Sequence, residues 1–93
     1  MTSIPKVTIN QLPQEVQTII TLIAQGGPFP YTKDGTVFKN LEGLLPWQPS
    51  GYYREYTVET PGRINRGSRR LIIGQNGERY FTPDHYNSFQ EVI

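Results

Sequence analysis

The chain reads as an α+β domain, one N-terminal helix packed on an antiparallel β-sheet, on three observations. Val16, Ile19, Ile20 and Ile23 recur at helical spacing. From residue 52 onward, β-branched and aromatic residues gather in short runs between turn signals. Nine glycines and eight prolines are high counts for 93 residues and demand many turns and short elements. No internal repeat, linker or low-complexity tract divides residues 1–93, so they form a single domain with one modest core.

The spacing predicts the helix over residues 13–24. Pro13 suits its first turn, Glu15 complements its positive end, and Gly26-Gly27 supply the stop. Residues 28–35 form a loop closed by the turn signal Asp34-Gly35, and Thr36-Val37-Phe38 reads as a short strand. A polar loop over residues 39–43 follows. Another spans 46–51, with Trp47 expected to cover core or a binding surface. Residues 52–59 make a good strand, ended by Thr60-Pro61-Gly62. The next begins at Arg70 and turns at Asn76-Gly77 into a return strand over 79–82. Residues 87–93, with Phe89 and Val92, read as the last strand.

Composition excludes several chemistries. There is no cysteine, so disulfides, iron–sulfur clusters and thiolate zinc sites are ruled out, and one histidine argues against a histidine-based metal centre. No metal or other cofactor is expected. No apolar run approaches membrane-spanning length, and residues 1–6 lack a basic start followed by an apolar stretch. A cytosolic protein and a mature secreted domain without its leader both fit that pattern. The formal net charge is only +1, which does not announce a nucleic-acid binder. The distribution says more: all six arginines lie beyond residue 50, and four fall between positions 63 and 70. Such clustering makes a local anion site on a nearly neutral protein.

Three kinds of side chain then bear on function. Strand alternation puts Tyr53, Glu55 and Thr57 on one face, and Tyr52, Arg54, Tyr56 and Val58 on the other. If the helix covers the second face, Glu55 stands on the open one. Taken alone, its plainer reading is a cross-strand ion pair with an arginine. Arg66 and Arg70 carry planar forks that match phosphate oxygens; the plainer reading is a solvated loop. The single imidazole, His85, is more often a structural residue than a catalyst. Their combination is what counts, because a carboxylate, an imidazole and guanidinium groups are the parts needed to cleave RNA without a metal. Glu55 would take the proton from the ribose 2′-hydroxyl, Arg66 and Arg70 would stabilise charge on the phosphoryl oxygens, and His85 would protonate the departing 5′-oxygen. DNA, lacking the attacking hydroxyl, would at best bind.

These residues resemble a known family, the small microbial guanyl-specific ribonucleases of the barnase and ribonuclease Sa type. The likeness runs through Leu12-Pro13, Ile23-Ala24, Gly27-Pro28-Phe29-Pro30-Tyr31, Asp34-Gly35, Phe38 and Glu42. It continues through Gly51-Tyr52-Tyr53, Glu55-Tyr56-Thr57-Val58, Thr60-Pro61-Gly62, Arg66-Gly67, Arg69-Arg70 and Asp84-His85-Tyr86. It implies cleavage of RNA on the 3′ side of guanosine through a 2′,3′-cyclic phosphate, later hydrolysed to a 3′-phosphate. Glu55 matches the family's general base, His85 its general acid, Arg66 and Arg70 its phosphate-binding arginines, and Tyr86 a tyrosine that helps hold phosphate. Glu42 matches the carboxylate that pairs with guanine N1 and its amino group. Elementary chemistry agrees: a carboxylate only accepts, and guanine offers two donors on one edge. Backbone amides around Lys39, Asn40 and Leu41 would meet the guanine acceptors, and Phe38 would flank the ring, although by itself Phe38 reads as core.

Two departures stand out. Leu41 occupies a position where close relatives carry an arginine, which implies weaker stacking on the base. The relatives' disulfide is missing, since Val7 stands at one position and no cysteine occurs near Ile93. A long-loop crosslink of that kind is worth about 2–4 kcal/mol. The resemblance also implies a monomer, secreted or delivered as a toxin domain into another cell, with an acidic inhibitor of the barstar kind as protein partner and RNA as substrate. The competing readings are a non-catalytic RNA- or protein-binding module on the same scaffold, which needs no paired acid and base, and a phosphate-ester enzyme acting on small nucleotides.

Overall fold

The computed structural model describes residues 4–93. Strand β1 (Lys6–Val7) leads through one 3-10 turn (Ile9–Gln11) into helix α1 (Gln14–Gln25). Five strands follow: β2 (Thr36–Phe38), β3 (Tyr53–Thr57), β4 (Arg70–Gly74), β5 (Arg79–Thr82) and β6 (Gln90–Val92). They form one sheet in the order β1-β6-β5-β4-β3-β2. Every neighbouring pair is antiparallel except β1 with β6. The α+β expectation is met, with one parallel pair added at the edge. No apolar run marks β1, whose two residues become a strand only through that pairing. Val7 lies opposite Val92, and the Ile93 N–H donates to the Val7 carbonyl at 2.8 Å. The two ends are thus joined by main-chain bonds where the resemblance places a crosslink in relatives.

The helix begins after Pro13, with Glu15 in its first turn. It closes at Gly26, whose φ of +79° suits glycine, and the Gly27 N–H reaches back to the Leu22 carbonyl at 2.9 Å. Val16 and Ile19 are buried, each worth about 1.5–3 kcal/mol. They pack on Val58, Leu71, Phe81 and Val92, the alternate residues of the sheet that face the helix.

The opposite face is not simply open, as the sequence reading had it. Leu45, Tyr53, Ile72, Tyr80 and Phe89 form a second buried cluster there, with Phe38, Tyr52 and Tyr86 packed against it. Glu55 shares this face, level with Ile72 in β4 and, one strand further, Tyr80 in β5. The expected Asn76-Gly77 hairpin is present: β4 and β5 are joined by a three-residue turn, 75–77, in which Gly77 takes a positive φ (+89°) and the Gly74 N–H donates to the Glu78 carbonyl. Of the two roles expected for Trp47, covering core is corrected: it is 83% exposed, and the buried anchor of its loop is Leu45.

Candidate active site

Glu55 sits in the middle of β3, beside the edge strand β2. Beyond the end of β2 the sheet is continued by a side chain: Asp34 Oδ1 accepts the Thr57 N–H at 2.7 Å, and the Gly35 N–H donates to the Glu55 carbonyl at 2.7 Å. The turn signal Asp34-Gly35 therefore also pins the backbone on either side of Glu55. Its carboxylate is 14% exposed and accepts a bond from Arg66 Nη2 at 3.1 Å. Arg66 Nε donates to Thr57 Oγ1 at 3.0 Å, and the guanidinium lies 5.9 Å from the centre of the Tyr31 ring. The plain reading of Glu55 as half of an ion pair is thus correct, but the partner comes from a loop rather than the next strand.

The run of four arginines is divided by the fold. Arg63 is exposed. Arg69 points to the helix, 3.7 Å from Glu15, a partly exposed pair of little energetic weight. Arg66 and Arg70 turn toward Glu55 and Tyr86. Gly67 makes the bend between them at φ +67°, where an added Cβ would lie 2.9 Å from Thr60 Oγ1. Arg70 is only 3% exposed. Its Nη1 donates to the carbonyls of Gly67 and Arg69 at 3.1 and 2.7 Å, and its Nε has no partner. It makes no ion pair among the described residues. A buried guanidinium neutralised by nothing but carbonyl dipoles is costly to leave without an anion.

His85 and Tyr86 occupy the connection between β5 and β6, where both take left-handed backbone, φ +55° and +75°. Non-glycine residues rarely do so, and two in succession concentrate strain at this turn. His85 is exposed and lies at the rim, its ring 4.7 Å from that of Tyr86. Tyr86 is half-buried and packs on Phe38 at 4.9 Å between ring centres. Burial first, and the nearby Glu55 carboxylate second, push its phenol up to about 12 against the pull of Arg70. It therefore stays a hydrogen-bond donor across the neutral range.

A cleft of about 250 Å³ is lined by Phe38, Lys39, Asn40, Leu41 and Glu42 on one side and by Glu55 and Tyr86 on the other. Asn40 shapes it. With φ +54° it bends the chain, while its side chain donates to the Leu45 carbonyl at 3.0 Å and accepts the Leu45 N–H at 3.1 Å. Leu45, 2% exposed, fastens that loop to the second core. Leu41 is 87% exposed at the cleft's edge. Every site residue named from the sequence except His85, Arg66 and Arg70 lines this cleft, and those three border its Glu55–Tyr86 end through the contacts above.

Sequence reasoning missed Val37, Leu44 and Phe89 in the lining, and Thr57 and Tyr31 as the supports of Arg66. Thr57 was findable, being two positions from Glu55 on the same face; Tyr31 sits in a loop with no such signal. Among the described residues, no group of three or more His, Cys, Asp or Glu is placed to hold a metal ion. A carboxylate, two guanidinium groups, a neutral phenol and an accessible imidazole around one cleft can move protons on and off a phosphate ester while balancing its charge.

Comparison with known proteins gives the same direction. The family model described as ribonuclease matches residues 2–93. Guanyl-specific ribonuclease St of Saccharopolyspora erythraea is 50% identical over 88 residues, covering 95% of this chain and 87% of that protein. Ribonuclease Sa2, solved in complexes with mononucleotides, superposes with a TM-score of 0.97 at 46% identity, covering 100% of this chain and 97% of that one. A second structure of ribonuclease Sa2, with guanosine-2′-cyclophosphate, gives a TM-score of 0.93 at 47% identity, covering 98% and 97%. The chain belongs to the family of microbial guanyl-specific ribonucleases.

Proposed function

We propose that the protein is a metal-independent endoribonuclease that cuts single-stranded RNA 3′ of guanosine, through a 2′,3′-cyclic phosphate to a 3′-phosphate end. Glu55 takes the proton from the 2′-hydroxyl as that oxygen attacks phosphorus. Arg66 and Arg70 hold the non-bridging oxygens, Tyr86 donates to the same phosphate, and His85 protonates the leaving 5′-oxygen. Glu42 accepts from guanine N1–H and the amino group, main-chain amides of Lys39, Asn40 and Leu41 meet its acceptors, and Phe38 flanks the ring. The observation that carries this reading is Arg70, a buried guanidinium with an unpartnered Nε next to the cleft that Glu55 and Tyr86 line. A binding module has no need of that arrangement beside a carboxylate and an imidazole. The reading also includes a monomer that acts outside its producer or inside another cell, held in check by an acidic inhibitor protein. Exposed Lys39 and Arg63 and the Arg66–Arg70 segment near the cleft favour such an inhibitor, which would need to match their charge.

The test is digestion of a defined oligoribonucleotide with one guanosine, in excess chelator, with analysis of product ends. The expected result is a single cut after guanosine, a cyclic phosphate appearing before the 3′-phosphate. Cuts ending in 5′-phosphates, or loss of activity on chelation, would reject the mechanism.

A further inference from the structure

We propose that Asp84 is a positioning residue, whose carboxylate holds the β5–β6 turn in the strained shape that presents His85 and Tyr86 to the phosphate. The inference rests on the ribonuclease reading and deepens it. Neither His85 nor Tyr86 can hold φ +55° and +75° unaided, because left-handed backbone is unfavourable for residues bearing a Cβ. Something around them must over-determine the turn, and the contacts converge on Asp84. Its Oδ1 accepts both the Thr82 hydroxyl and the Ser88 N–H at 2.9 Å, and its Oδ2 accepts the Ser88 hydroxyl at 2.7 Å. The two ends of the turn, Thr82 in β5 and Ser88 just before buried Phe89, are thereby gripped by one side chain.

Thr82 passes the constraint on. It is fully buried, and while its hydroxyl donates to Asp84 its oxygen accepts the Tyr86 N–H at 3.1 Å. That hydroxyl can donate only once, so the Asp84 acceptor orients its lone pair toward Tyr86. On the other flank the Asp84 carbonyl accepts the Asn87 side-chain amide at 2.9 Å. The His85 N–H meanwhile donates to the Ser68 carbonyl at 2.8 Å, and the Ser68 hydroxyl to the Pro83 carbonyl at 2.8 Å. The turn is therefore docked on the Arg66–Arg70 loop, so its shape also sets where the imidazole sits relative to the arginines. The Ser88 hydroxyl holds the Asp84 carboxyl below its usual range, consistent with an ionised acceptor at work. Asp84 does not itself line the cleft. Its influence must run through the two residues it places.

Leaving-group chemistry separates positioning of an acid from general damage. A nitrophenolate departs without a proton, whereas a ribose 5′-oxygen needs one. The experiment compares kcat and KM of the wild type, Asp84→Ala and Asp84→Asn on a guanylyl dinucleotide and on guanosine 3′-nitrophenyl phosphate. Asp84→Ala should lower kcat on the dinucleotide by about tenfold or more, part of the ~10²–10⁴ that a proton donor supplies. On the nitrophenyl ester its loss should be several-fold smaller, with KM little changed because the guanine loop is untouched. Asp84→Asn keeps the Oδ1 acceptor, and the Ser88 hydroxyl can rotate to accept from the new amide, so it should recover most of the activity. Should Asp84→Ala not fold, Ser88→Ala removes the Oδ2 contact alone and should show the same selective loss at smaller size. Equal losses on both substrates, or none, would overturn the proposal. A wild type inert on both substrates would instead remove the ribonuclease reading beneath it.

Discussion

The two faces of the sheet are built from alternate residues of the same strands, yet they solve opposite problems. Toward the helix, Leu71 and Phe81 meet Val16 and Ile19 in a contact of hydrocarbon on hydrocarbon, and among the described residues no buried side-chain polar atom is left unsatisfied there. Toward the cleft, Ile72 and Tyr80 build a smaller apolar floor, and their strand neighbours Glu55, Arg70 and Thr57 stand on it as polar groups. There Arg70 Nε lacks a partner, and the turn carrying His85 and Tyr86 is strained. One face stores stability and the other spends part of it. Pre-organised charge aimed at a ligand is costly in the free protein and useful only when the ligand arrives.

That division can be broken from either side. The largest effect is expected on the cleft face: His85→Gln and Glu55→Gln should each slow RNA cleavage by about 10²–10⁴-fold while leaving the thermal midpoint near that of the parent, as followed by dinucleotide kinetics and calorimetry. On the helix face the reverse holds. Ile19→Ala should cost about 2–5 kcal/mol of stability in urea denaturation, with kcat unaltered at temperatures where the variant stays folded. If Ile19→Ala harmed chemistry as much as folding, the two faces would not be independent.

Glu42→Gln sharpens the comparison within the cleft itself, since it removes a charged acceptor without touching the phosphate end. Hydrogen bonds to a charged group are worth about 1.5–3 kcal/mol, so preference for guanosine over adenosine dinucleotides should fall by roughly ten- to a hundredfold in kcat/KM. Unchanged discrimination would remove Glu42 from the base site. The smallest effect concerns acid stability. The Tyr52 phenol holds the Glu78 carboxyl below its usual range, as Ser88 does for Asp84. A depressed carboxyl stabilises the fold above its unfolded pKa, and that stability is lost as pH falls through the folded value. Glu78→Gln should therefore flatten the decline in stability below about pH 4, measured by thermal melts across pH, and leave neutral activity alone.

Much of this was legible in the sequence because periodicity reports burial. The helix was marked by Val16, Ile19 and Ile23, and period-two alternation put Glu55 on the face away from it. What escaped were features set by tertiary pairing rather than by local pattern. The two residues of β1 become a strand only by lying beside β6. The second apolar cluster draws Leu45 and Phe89 from connections between strands, where no periodicity marks burial. The four arginines look equivalent in the chain, and it is the start of β4 at Arg70 that sends Arg70 inward and its neighbour Arg69 out to Glu15. A large aromatic usually marks burial, yet Trp47 stays exposed and the loop anchors on Leu45 instead, so of its two expected roles the core one fails.

The central claim is that Glu55 and His85 work at opposite ends of the same phosphate, one on the entering oxygen and one on the departing oxygen. Rates of Glu55→Gln and His85→Gln on guanosine 3′-nitrophenyl phosphate test it directly, because that leaving group needs no proton. The account predicts that His85→Gln recovers toward the parent rate on this ester while Glu55→Gln remains crippled. Equal impairment of both variants on the ester, or recovery of Glu55→Gln instead, would contradict it.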